Sequence, residues 1–199
     1  MKANEVDILI IPGFTNADED HWQSRWEAKL STAKRVEQKN RVKPVLEEWV
    51  AELVKAVRNC RKPVLLVAHA LGVPVAVHAV PQLGDKICGG FFVSPPDLTK
   101  ADNHPQNLPA FGPYPVQPLP FPSLVIASHN DPFCSFTVAE NLARAWHSLF
   151  LDAGESGHIN EQSGHGPWPE GLMVFSQFLA NLPEAGGTKT AAEQAGKKI

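Results

Sequence analysis

Residues Pro63–Gly72 read P-V-L-L-V-A-H-A-L-G, a short apolar run that passes directly into the opening of a helix. An apolar run of this length is a buried strand, and strands that feed helices build parallel sheets. The junction has the composition of a nucleophile elbow, a strained strand-to-helix turn that lifts a Ser side chain above the sheet. Small residues are required two positions before and two after its apex, because backbone and sheet approach closely there. Ala68 and Gly72 meet that requirement. The apex itself is Ala70, so the hydroxyl that such a turn presents is missing.

Outward from this stretch, β-type runs alternate with amphipathic helices, which predicts a mostly parallel sheet covered on both faces. Val6–Ile11 is a strand closed by Pro12-Gly13, and His21–Leu30 a first helix with Trp22 and Trp26 on one face. Residues 44–59 carry Leu46, Trp49, Val50, Leu53, Val54 and Val57 at helical spacing. Pro63–Val67 is the strand before the elbow and Leu71–Val80 the helix after it, with Pro74 tolerated in the first turn. Then follow strands at Ile87–Val93, Ser123–Ser128 and Ser148–Leu151, and helices at Ser135–Ala145 and Pro169–Leu182.

Two segments break the alternation. Residues 94–122 hold nine of the 18 prolines, so a stiff extended connection is expected there rather than a helical cap. It should run over the C-terminal edge of the sheet and could wall a pocket. From Glu184 to Ile199 almost nothing is apolar, and a disordered tail over 183–199 is expected behind a single domain of residues 1–182.

Composition excludes several function classes. A formal charge of −3 offers no basic field for nucleic acid or an anionic membrane. No apolar run has the length of a membrane span. Cys60, Cys88 and Cys134 form no even framework and no CxxC pair, as reduced thiols in a cytoplasmic protein would. The charged start M-K-A-N-E-V-D does not lead a secretory segment.

Two further loops join the elbow. Asp131, in H-N-D-P-F-C, follows a strand end, and His158 lies in the Gly- and Ser-rich loop D-A-G-E-S-G-H-I-N after the next strand. Nucleophile, Asp, His is the chain order of α/β-hydrolases, not of the chymotrypsin or subtilisin types. In that chemistry His removes the hydroxyl proton and returns it to the leaving group, while Asp orients the imidazole and stabilises its charged form. Two backbone donors should form an oxyanion hole: the N–H of Leu71 at the helix opening and the N–H of Phe14 in the turn after the first strand.

Other candidates have plainer readings. His69 is expected to pack or hydrogen-bond locally, and His21 and Trp22 to pack a helix start. His165 lies at poor metal spacing from His158, with no Cys or carboxylate cluster beside them, so neither a metal nor a cofactor is expected. Cys134 lacks an elbow and reads as a half-buried thiol. Trp168 reads equally as a pocket wall that binds substrate and as a core anchor.

The sequence resembles the small serine hydrolases typified by retinoblastoma-binding protein nine and the bacterial YdeN-type proteins. The carriers are I-L-I-I-P-G-F with downstream H-W-Q (His21–Gln23), V-A-H-A-L-G, S-P-P-D at Ser94–Asp97, S-H-N-D-P-F-C-S-F, and G-H-I-N-E-Q-S-G-H-G-P-W-P-E-G. They cover roughly residues 6–182. The resemblance implies an α/β-hydrolase fold without a large cap and activity on small esters or amides. It also implies Ala70 at the nucleophile position, Asp131 as acid and His158 as base. The family pattern at the elbow is V-A-H-S-L-G. Ala70 therefore marks either a Ser→Ala replacement that silences an enzyme or a natural pseudoenzyme that binds a small carbonyl ligand or peptide.

Overall fold

A computed structural model describes residues 1–14, 17–99 and 108–183. Eleven regular elements follow in chain order: β1 (Asp7–Ile11), α1 (Trp22–Lys29), β2 (Ala33–Arg35), α2 (Leu46–Asn59), β3 (Val64–His69), α3 (Gly72–Leu83), β4 (Ile87–Val93), β5 (Ser123–Ala127), α4 (Phe136–Ala145), β6 (Leu149–Asp152) and α5 (Pro169–Asn181). The strands form one sheet in the order β2-β1-β3-β4-β5-β6, every neighbouring pair parallel.

Period-two alternation divides the strands between two cores. Leu9, Ile11, Leu66, Ala68, Phe92 and Val125 face one side, where Trp49, Leu53 and Val57 of α2 and Val73 and Val77 of α3 pack. Ile8, Ile10, Leu65, Val67, Phe91 and Ile126 face the other, beneath Trp22 and Trp26 of α1 and Phe175 and Phe178 of α5. Local chemistry places the helix ends. Ser135 accepts from Val138 N–H to cap α4, Pro169 begins α5, and Glu47 and Glu48 open α2 while Arg58 closes it.

The structure departs from the sequence reading at two places. β2 was not foreseen, because A-K-R has no apolar run; it forms by pairing with β1 at Ile8↔Ala33 through Ile10↔Arg35. Helix α3 continues past Val80 through Pro81 to Leu83, with Pro81 exposed, near the end of the helix. The proline-rich connection, where described, packs mainly on the α2–α3–α4 side. Phe111 meets Trp49 edge-on and its carbonyl bonds His78, Trp146 Nε1–H donates to Pro115 O, and Tyr114 O–H donates to Pro96 O. Among the described residues it forms no helical cap. The tail expectation for residues 184–199 lies outside the described residues.

Strand order reverses between β1 and β3. In open parallel sheets the crevice outside the strand ends at such a switch is where ligands bind. The turn after β1 and the elbow after β3 meet there.

Candidate active site

Ala70 has φ 49°, a left-handed conformation for a residue with a Cβ, which costs roughly 1–3 kcal/mol. It is held by its own N–H to Val93 O (3.0 Å) and by Val73 N–H to its carbonyl (2.9 Å). Gly72 is compelled, since a Cβ there would collide with the carbonyls of Ile11 and Pro12. Gly13 is nearly as confined: its Cβ would lie 2.9 Å from that of Ala70 and 3.4 Å from Leu71 N. The turn bearing Phe14 therefore rests against the elbow. Leu71 N–H opens α3, where the first amides of a helix lack intrahelical acceptors. The two expected oxyanion donors belong to segments in contact.

Asp131 and His158 are also together. His158 Nδ1 lies 3.0 Å from both Asp131 oxygens, with the side chains 12% and 2% exposed. A nearly dry pair is screened little by solvent. Phe133 N–H donates to Asp131 Oδ1 (2.9 Å), and the Phe133 ring meets the His158 ring edge to face at 4.6 Å. The acid and histidine loops are laced by Ser128 Oγ, which accepts from Ser156 N–H, and Asn130 Oδ1, which accepts from Gly157 N–H. With Nδ1 engaged, Nε2 is the ring atom left for proton transfer, and it has no hydrogen-bond partner among the described residues.

The fold has known counterparts. The model of the serine hydrolase family matches residues 8–177. This chain belongs to the serine hydrolase family. A protein described as a YdeN-like hydrolase from Pectobacterium atrosepticum is 34% identical, with a TM-score of 0.79 over 91% of this chain and 95% of that one. The ydeN gene product of Bacillus subtilis is 21% identical, with a TM-score of 0.69 over 87% and 98%. Thermogutta terrifontis esterase 2 shares the fold at 12% identity, TM-score 0.65, over 88% and 82%. No curated protein matches the chain.

In this serine hydrolase the sequence reading missed the part played by H-W-Q. His21 Nδ1 accepts from Gln23 N–H and caps α1. Trp22 Nε1–H donates to Ile159 O (2.9 Å). Gln23 Nε2 donates to Ile11 O and Val67 O, on the strands before the oxyanion turn and the elbow. The signal available in the sequence was H-W-Q itself, a motif carrying the family resemblance, with no indication of its partners. His69 packs, as expected, against His21 and Trp22, but its hydrogen bond is not local: its Nε2 is 2.9 Å from His158 O, which can only accept, so Nε2 carries the proton. Burial, with His158 and His21 beside it, holds the His69 pKa well below the usual histidine value. Burial, then Arg35 and His158, lowers that of His21 to about 3.

Trp168 packs in the core as an anchor for α5. It is 8% exposed, stacks on Trp26 (6.0 Å, 12°), meets Trp22, and covers Gly171 so closely that a Cβ would enter its ring. Cys134 is buried rather than half-buried. Ser94, after β4, shares the left-handed conformation (φ 49°) and is 1% exposed. Among the described residues no group of three or more His, Cys, Asp or Glu could hold a metal, and no helix is long and apolar enough to cross a membrane.

Proposed function

We propose that the site is built to hydrolyse small carboxylic esters or amides through a Ser-His-Asp relay in which Ala70 occupies the Ser position. As it stands, the chain is inert, or nearly so, in acyl transfer. The observation that carries this reading is His158 Nδ1 at 3.0 Å from both Asp131 oxygens, on a fold whose elbow holds a non-glycine residue at φ 49°. Such a conformation is costly and clusters at sites where the strain serves function, here by aiming the side chain at position 70.

With Ser at position 70, His158 Nε2 accepts the hydroxyl proton as Oγ attacks the carbonyl carbon. The oxyanion is held by the N–H groups of Leu71 and Phe14, and the imidazolium is stabilised by Asp131. Collapse expels the alcohol or amine with the proton from His158, leaving an acyl-enzyme. Water, deprotonated by His158, then attacks and releases the acid. No step requires a cofactor. An odd number of cysteines with no CxxC pair supports a cytoplasmic place of action.

The intact Asp131–His158 pair favours a silenced enzyme over a decayed one. Backbone donors do not depend on the side chain at 70, which supports the second reading: a receptor for a small carbonyl ligand or peptide.

Ala70→Ser is the test. Loss of the nucleophile costs on the order of 10⁶ in kcat in subtilisin, so p-nitrophenyl acetate hydrolysis should rise by several orders of magnitude. A fluorophosphonate probe should label the Ser form and not the Ala form. A folded Ala70→Ser protein with neither turnover nor labelling would give the receptor reading the lead.

A further inference from the structure

His158 sits between two left-handed residues, Gly157 (φ 58°) and Ile159 (φ 49°). Glycine adopts that conformation without steric cost, whereas a β-branched residue does so only when its surroundings compel it. Ile159 is fully buried, so relaxing its backbone would rotate the peptide that joins it to His158 and swing the imidazole away from Asp131. Something must hold this peptide pair.

Two side-chain donors reach it from outside the loop. Trp22 Nε1–H, from the first residue of α1, donates to Ile159 O at 2.9 Å. His69 Nε2–H, from the last residue of β3, donates to His158 O at 2.9 Å. Both are buried: Trp22 is 0% and His69 5% exposed. They also brace each other, the His69 ring meeting Trp22 edge-on at 5.9 Å and lying 4.9 Å from the His158 ring. Burial keeps His69 neutral, so its bonding pattern does not change across the working pH range. On the other flank, Gly157 N–H is fixed by Asn130 from the acid loop.

We propose that Trp22 and His69 are positioning residues whose N–H groups clamp the consecutive carbonyls of Ile159 and His158, keeping the His158 ring on Asp131. Neither touches substrate. They act through His158: His69 fixes the peptide on its C-terminal side, and Trp22 fixes the next one, so that Ile159 keeps the φ that sets the first. The clamp ties the histidine loop to the elbow strand and to α1, so base and nucleophile position share one frame. The activity arm of the test rests on the proposed hydrolysis; the clamp itself does not.

The test compares Trp22→Phe with Trp26→Phe. Trp26 belongs to the same aromatic cluster and is also buried (3% exposed), but its indole N–H makes no hydrogen bond among the described residues. Both changes remove the same volume, and only the first removes a loop donor. In the Ala70 chain, proton NMR should show the low-field Nδ1–H resonance of His158 with Trp26→Phe and lose or broaden it with Trp22→Phe. In the Ala70→Ser background, Trp22→Phe should lower kcat roughly 10²-fold, the penalty of a misplacement of about 1 Å, with KM nearly unchanged. Should Trp22→Phe fail to fold, benzothienylalanine at position 22 keeps the ring shape without the N–H and should give the same two results. A sharp resonance and full kcat in a donor-lacking variant, or equal effects from Trp26→Phe, overturn the clamp. An inactive Ala70→Ser protein would sink the hydrolytic reading alone, since the resonance still decides the clamp.

Discussion

His21 and His69 are held neutral at the rim of the site, and that has a consequence for stability. In the unfolded chain each takes up a proton near pH 6.5, while the folded protein keeps His21 neutral down to about 3 and His69 well below its usual value. The unfolded state therefore binds more protons below pH 6.5, so stability is complete above that pH and falls as pH drops toward 3. Between pH 7.5 and 5 each histidine should remove up to about 2 kcal/mol. Urea midpoints at the two pH values measure this. His21→Asn keeps an acceptor at the α1 cap but has nothing to titrate, so its midpoint should fall less. An unchanged difference would show that His21 is charged in the folded state. The absence of a hydroxyl at Ala70 was plain in the sequence; the neutral state of these histidines was not, because it depends on what buries them.

The elbow shows how one element constrains another. Gly72 begins α3 with its Cα against the carbonyls of Ile11 and Pro12 at the end of β1, and backbone on both sides leaves no flexible side chain to yield. Gly72→Ala should cost roughly 3 kcal/mol by overpacking. At about 2–4 °C per kcal/mol for a chain of this size, the melting temperature should fall by roughly 6–12 °C. A change within 1 °C would mean that the strand end moves freely. The sequence marked Gly72 as small by its place in the elbow motif; that β1 is the neighbour requiring it emerges only once the strands are ordered. Strand β2 has a similar history. Its three residues carry no β signal, and β1 supplies the hydrogen bonds that make them a strand.

Over the whole molecule, the two cores draw on described residues from Met1 to Leu182. The segment E-A-G-G-T-K-T-A-A-E-Q-A-G-K-K-I is poor in apolar residues, and its composition leads us to propose that it adds little to either core. Deleting residues 184–199 should shift the melting temperature by no more than about 2 °C, in keeping with an undocked terminus. A loss of several kcal/mol in chemical denaturation would reveal a docked segment. Apolar alternation and helical spacing were sufficient for the α/β class, because each depends on residues near in sequence; the chain order Ala70, Asp131, His158 pointed to a site, but only the fold brings Asp131 to His158. Tertiary structure alone decided that Trp168 is a core anchor and that H-W-Q holds carbonyls on β1, β3 and the histidine loop. Indole and amide side chains take their meaning from the partners that burial assigns them. Trp22 finds its partner 137 positions along the chain, a distance that no local pattern encodes.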